Sequence, residues 1–245
     1  ITKQFAVSLT SGKELTVDRE AAADFLPATA NVAVMVSALR GFDVASILRS
    51  LDRYPYGCLE QTTSRAMPLL YFNDVALLGA VREDRAIARR VQEAVFSVLD
   101  RQASDGSFGM WSAQSAGADP WLQVYAFDFL MRAREKGYVV PETPFRRGLI
   151  WLQRSAEKMT PNAQAYAWYV LARGGLADAG RVRYFQDTDG DKIVGALARG
   201  HLAAALTLVG ERGRSQGQFQ LAVAQVGQQP KDDYYGSAMR DIAEP

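Results

Sequence analysis

The sequence predicts a mainly α-helical chain built from stacked helix pairs, and three observations carry that prediction. Beyond Gly41 the apolar residues recur at helical spacing, as in Val44, Ile47, Leu48 and Leu51. A capping residue followed by proline occurs at Asp119-Pro120, Thr143-Pro144 and Thr160-Pro161, the order favoured at helix N-termini. Three segments also resemble one another: YAFDFLMRAREKG (125–137), YAWYVLARGG (166–175) and LAAALTLVGERG (202–213). Each combines small and aromatic residues with an Arg or Glu and then glycine, and each follows a helix-length segment. Helix pairs that cannot bury their faces alone stack into a solenoid or close into a toroid.

The leading residues depart from this pattern. Phe5, Val7 and Leu9 alternate with polar residues, Ser11-Gly12 offers a turn, and Leu15 and Val17 follow. A second extended run, Val32 to Val36, lies beyond Pro27. These strands are too few to close a sheet and read as part of a neighbouring domain or a small edge ribbon.

Asp43 caps the first expected helix, and Pro55 ends it because the residue before a proline is pushed out of the helical region. A second helix is expected from about Gln61 to Leu78, stopping at Gly79. Pro68 falls inside it, and a proline costs about 3 kcal/mol in a helix interior, so a kink or an irregular first part follows. Gly137 and Gly174 follow cationic residues, as helix stops do. Trp121, Tyr125, Phe129, Trp151, Trp168 and Tyr169 recur at helical spacing and read as core between inner and outer helices.

Composition narrows the function classes. A chain of 245 residues buries roughly 70–75% of its unfolded surface and needs no metal or disulfide to hold its core. With 28 basic and 27 acidic side chains the net charge is +1, which gives no electrostatic case for nucleic acid or an anionic membrane. One cysteine cannot form an internal disulfide, and one cysteine with one histidine cannot build a structural zinc site. The longest apolar runs, such as Leu202 to Val209, are far short of a membrane span. The chain opens on Ile1 without a targeting pattern and closes at Pro245 after what reads as the start of a helix; a fragment of something longer is expected.

The single cysteine stands in YPYGCLEQ, residues 54–61. Taken alone, a lone cysteine reads as a small buried hydrophobe. Its surroundings argue for chemistry. Gly57 permits a tight turn, and Pro55 keeps helix from running through the site. Cys58 and Gln61 then bracket one turn at the start of the next helix, where side chains three apart share a face. The positive end of a helix favours the thiolate form of a cysteine placed there. That thiolate could attack the Gln61 side-chain amide and expel ammonia, leaving an internal thioester whose acyl carbon is the electrophile. Such a bond lasts only while water is kept away. Tyr54 and Tyr56 are candidates for shielding it, with Tyr71 or Phe72 packed beneath.

GCLEQTTSRAMP resembles the thioester motif of the α2-macroglobulin and complement superfamily, and is most similar to its bacterial members, which use Cys-Leu-Glu-Gln. Pro68, ten residues after the cysteine, matches the family, as do WLQVYAFDFLMRAREKGYVVP (121–141), LAAALTLVGERG and YYGSAMRD near the end. The resemblance covers the chain from about residue 30. It implies an α/α-toroid of helical hairpins, incomplete here, inserted into a β-sandwich domain termed CUB. Residues 1–30 would then be a CUB strand segment and residues 31–245 the thioester domain.

The resemblance further implies a broad-spectrum protease trap. Cleavage of a bait elsewhere in the parent chain exposes the thioester, and a lysine amine of the target protease attacks it. Cys58 is then the thiol partner and leaving group, and Gln61 supplies the acyl carbon. Glu60 and Gly57 support the local geometry, Leu59 adds apolar cover, and Tyr54 matches a shielding position of bacterial members. No external cofactor is implied. The partners are target proteases and the other domains of the parent, with neither nucleic acid nor direct membrane contact. A periplasmic parent is expected, with lipid anchoring to the inner membrane left open.

Some complement-type members pass the acyl group to a histidine on a loop between later helices. The corresponding loop, around Arg154 to Asn162, has none, and His201 in RGHLAAAL reads as a packing or solvent-facing residue, so direct aminolysis is expected. DTDGD (187–191) lacks the glutamate a calcium loop needs at its twelfth position, which is Ala198. KDDYYG (231–236) has paired acids but no second acidic cluster, which disfavours a magnesium-dependent toroid enzyme of the terpene-cyclase sort. The remaining alternative is a non-covalent toroid binding module in which Cys58 is inert. The trap itself is a single-use reagent rather than an enzyme.

Overall fold

The computed structural model describes residues 7–16, 20, 23–26, 57–71, 85–115 and 117–227. Two compact units are present, Ile1–Arg53 and Tyr54–Pro245. The expected helix after Asp43 and the run Val32 to Val36 lie outside the described residues, as does KDDYYG.

In the first unit the turn at Ser11-Gly12 forms as expected, with the Lys13 N–H donating to Thr10 O at 3.0 Å and Gly12 at φ 80°. Val7, Leu9 and Leu15, on either side of it, are not in strands. Residues 7–16 are exposed and carry no ladder among the described residues. Alternation only marks which face a strand would bury; without a partner strand there is no hydrogen-bonded ladder to hold it.

The second unit is helical. Its described helices are α1 (Leu59–Leu69), α2 (Arg85–Leu99), α3 (Pro120–Glu135), α4 (Glu142–Ser155), α5 (Pro161–Arg173), α6 (Ala179–Asp189), α7 (Ala196–Leu208) and α8 (Arg212–Gln225). The odd-numbered helices pack on one another in succession, α1 on α3, α3 on α5 and α5 on α7. The even-numbered ones fill the outer positions: α2 packs on α1 and α3, α4 on α3 and α5, and α6 and α8 on α7. This alternation of inner and outer helices is the order of an α/α-toroid.

Sequence explains which layer each helix takes. Helices α3, α5 and α7 are apolar around most of their circumference, and α5 and α7 are rich in alanine, so neighbours can approach from several sides. Helix α4 shows a single stripe, Phe145, Gly148, Leu149 and Leu152, and turns its arginines outward. Phe108, Phe127, Phe129 and Trp168 are fully or almost fully buried between the layers, each contributing about 1.5–3 kcal/mol through its burial. Gly148 is required by this packing: a Cβ there would lie 2.2 Å from the Phe127 ring.

Three of the four described inner helices, α3, α5 and α7, close in the same way. Gly137, Gly175 and Gly210 have φ of 86°, 69° and 89°, and the next residue donates back into the last turn: Tyr138 to Ala133 O, Leu176 to Leu171 O, and Glu211 to Leu206 O. Only glycine adopts this left-handed conformation without strain. The internal repeat in the sequence is therefore the repeat of inner helices. The helix stops at Gly174 as expected, with Gly174 its C-cap and Gly175 carrying the positive φ.

Two helix starts differ from expectation. Helix α4 begins at Glu142 with Pro141 at the cap, so Thr143 and Pro144 lie inside its first turn rather than marking its start. Proline is tolerated there because N–H groups of the first turn have no helical partner. Helix α1 starts at Leu59, before Gln61, and ends at Leu69 rather than running to Leu78, with Pro68 in its last turn. Leu70 N–H is shared between Ala66 O and Met67 O as the helix tightens and stops.

Buried polar groups tie the inner layer together. Asp128 on α3, with its side chain 3% exposed, accepts from Arg132 Nε (2.9 Å), Arg173 (3.0 Å) and the Tyr166 hydroxyl (2.8 Å). Arg132 also donates to the Tyr71 hydroxyl just beyond α1, at 2.7 Å. Burial disfavours the Arg132 charge, yet Asp128 and Tyr71 outweigh it and hold the pKa above its ordinary value. Burial, reinforced by Asp128, pushes the Tyr166 hydroxyl well above the usual tyrosine range.

Candidate functional site

The segment Cys58-Leu59-Glu60-Gln61 has the spacing of a capping box, with cysteine where serine or threonine is usual. Its geometry follows. Cys58 is the N-cap of α1 at φ −71° and ψ 171°, and its Sγ accepts the Gln61 N–H at 3.4 Å. In return, Gln61 Oε1 accepts the Cys58 N–H at 3.4 Å. The glutamine amide is thereby folded back over the residue that carries the thiol. Cys58 is 7% exposed and Leu59 is fully buried, which limits access of water to the thiol from the helix side.

The other predicted residues sit around this turn. Leu59 joins the core, its N–H donating to Met110 O at 2.8 Å. Glu60 lies in the first turn, where a carboxylate suits the helix dipole, and accepts from the Ser64 hydroxyl at 2.7 Å. Gly57 leads into the cap, and its carbonyl accepts from the Arg101 guanidinium. Tyr71 packs against the core. Tyr54, Tyr56 and Phe72 lie outside the described residues.

A loop that sequence reasoning passed over supports the turn. Residues 100–118, between α2 and α3, fold back on themselves through bridges Gln102 to Phe108 and Gly109 to Gly117. The buried Gln123 clamps this loop from α3: its Oε1 accepts Phe108 N–H at 2.8 Å and its Nε2 donates to Phe108 O at 2.7 Å. Gly109 has no room for a side chain, since a Cβ would lie 1.9 Å from Ser112 O. The loop so fixed presents Met110 O to Leu59 and Arg101 to Gly57. The signal available in the sequence was the run DGSFGMWSAQSAGADP (105–120), dense in Gly, Ser and Asp and bounded by two helices.

The family model of the A-macroglobulin TED domain matches residues 28–160, just over half of the chain, and spans this whole site. The chain belongs to the A-macroglobulin TED-domain family. Within that family it is of the bacterial alpha-2-macroglobulin type. Alpha-2-macroglobulin of Escherichia coli K12 is 30% identical over 262 residues, covering 99% of this chain and 16% of the relative. A crystal structure of native E. coli alpha-2-macroglobulin, from domain MG7 to the C-terminus, superposes with a TM-score of 0.72 at 30% identity, covering 82% of this chain and 34% of that one. A crystal structure of Salmonella alpha-2-macroglobulin reacted with methylamine gives 0.72 at 34% identity, covering 81% and 14%. The TED domain spans about one sixth of the length of the curated relatives it matches.

His201 of the TED domain has a packing role. Its ring lies parallel on Tyr166, with centroids 4.1 Å apart, and also stacks on Tyr169 at 5.5 Å. The Arg154 to Asn162 loop is a 3-10 turn, Ala156–Lys158, between α4 and α5. DTDGD is the end of α6 and the turn after it: Asp187 pairs with Arg214, and Asp189 with Lys192. Among the described residues, no group of three or more His, Cys, Asp or Glu could hold a metal ion.

Proposed function

We propose that the TED domain carries an internal thioester between Cys58 Sγ and Gln61 Cδ and uses it once, to acylate a protease. The observation that carries this reading is the reciprocal capping box, which brings the Gln61 amide back onto the cysteine turn. In formation, Sγ bonds to Cδ, the Cδ–Nε2 bond breaks, and the thiol proton leaves with the nitrogen as ammonia. In capture, a lysine amine attacks Cδ, the Cδ–Sγ bond breaks, and the amine proton ends on the sulfur. The product is an amide to the target and a free Cys58 thiol. No group is regenerated, so the domain is a reagent rather than a catalyst.

The Salmonella relative in its methylamine-reacted form supports amine reactivity of this kind, since methylamine is the simplest analogue of a lysine side chain. His201 is engaged in stacking and the Arg154 to Asn162 loop has no histidine, which favours direct aminolysis. Glu60 supports the first turn, and Tyr54 and Tyr56 shield the bond. The setting we propose is one domain of a longer protease-inhibiting chain in the periplasm. The burial of Cys58 on its own equally suits a binding module with an inert thiol.

Incubation with a lysine-bearing serine protease separates the two. The expected outcome is a protease adduct that survives boiling in denaturant and is absent from Cys58→Ala. No such adduct in the wild type would favour the non-covalent module, and an adduct of equal yield in Cys58→Ala would contradict capture through the thioester.

A further inference from the structure

We infer that Arg101 is a positioning residue for the thioester chemistry, acting through the Gly57–Cys58 peptide as a charged relay to the oxyanion at Gln61. The inference rests on the thioester reading above. One peptide unit here is hydrogen-bonded at both ends. The carbonyl of Gly57 accepts from the Arg101 guanidinium, and the N–H on the other side of the same peptide, that of Cys58, donates to Gln61 Oε1 at 3.4 Å.

Gln61 Oε1 is where charge develops in both steps. Attack of Cys58 Sγ on the amide, and attack of an amine on the thioester, each turn Cδ tetrahedral and place a negative charge on Oε1. The Cys58 N–H is therefore an oxyanion donor already in place before reaction. Hydrogen bonds in chains polarise one another, so a cation on the Gly57 carbonyl makes the Cys58 N–H a stronger donor.

Three features fit Arg101 to this role. It stands just past α2, 44 positions from Gly57, and Ser97 anchors it by accepting from the guanidinium at both its carbonyl and its hydroxyl, the latter at 2.9 Å. Among the described residues, no carboxylate pairs with it. Its Nε is buried without a hydrogen-bond partner, so the contacts of the guanidinium run through its two terminal nitrogens.

Arg101→Met keeps the bulk and removes the charge; Arg101→Lys keeps the charge and loses the fork. The reading is the rate of Cys58 thiol release by methylamine, normalised to the fraction of molecules that carry the thioester by intact mass. Removing one oxyanion donor slows acyl transfer by about a hundredfold or more, and weakening one through a relay is expected to slow it about tenfold in Arg101→Met. Arg101→Lys is expected to stay within about threefold of wild type, since a point charge still reaches the carbonyl. A residue that only held the loop would lower the thioester fraction and leave the normalised rate unchanged.

A wild-type normalised rate in Arg101→Met overturns the inference and leaves the thioester intact as a reading. If Arg101→Met carries no thioester, Arg101→Lys decides: a restored bond supports the relay, and its absence overturns it. A wild-type protein that never shows the thioester overturns both.

Discussion

Gln123 and Gly148 show how far single residues set this site. Gln123 is the only partner among the described residues for both polar groups of the buried Phe108 backbone, apart from the Ala118 N–H that shares Phe108 O. Gln123→Ala leaves a buried N–H unpaired, which costs about 2–3 kcal/mol. The expected fall in Tm is about 4–12 °C for a chain of this size. Thiol release from Cys58 should also change, because the loop that Gln123 clamps presents Met110 and Arg101 to the reactive turn. Gly148→Ala drives a methyl into the Phe127 ring and is expected to lower stability by about 1–3 kcal/mol, with no effect at the distant inner-helix ends. The meeting of Cys58 and Gln61 in one turn was legible in sequence because residues three apart at a helix start share a face. Gln123 and Arg101 were not: one glutamine and one arginine among many carry no mark of what the fold brings beside them.

Among the elements, the inner-helix closures are the part that the sequence displayed most openly. Gly137 and Gly175 end two of the repeated segments, Gly210 lies three residues before the end of the third, and the same backbone bond follows each. A Cβ added at Gly175 would meet nothing within 4 Å, so the effect of Gly175→Ala is a backbone effect alone. Forcing a non-glycine residue into the left-handed region costs roughly 1–2 kcal/mol, to be read as a shift in the urea midpoint without a change in m. Helix starts were less legible. Pro144 lies in the first turn of α4 rather than at its first position, and several first-turn positions accept a proline equally. The alternation of Val7, Leu9 and Leu15 forms no ladder among the described residues, because alternation says which side chains would share a face and nothing about where a partner strand comes from.

For the molecule as a whole, the Asp128 cluster joins Tyr71 beyond α1 to α3 and α5, and it sets an alkaline limit. Tyr166 is buried and its folded pKa lies above that of the unfolded chain. Its contribution is complete below the ordinary tyrosine value of about 10 and is lost as pH rises through the folded pKa, because only the unfolded state then gives up the proton. Stability measured by urea unfolding should fall by up to about 1.4 kcal/mol per pH unit above roughly pH 10. Tyr166→Phe should begin from a lower stability, having lost its bond to Asp128, and show a shallower alkaline decline. The proposed function turns on a single bond, and intact mass with a parallel thiol titration tests it most directly. The thioester predicts a freshly prepared chain lighter than its sequence by one ammonia, with no titratable thiol until methylamine adds at residue 61 and frees Cys58. An unmodified mass and a thiol that titrates at once, in chains that have never met an amine, would contradict it.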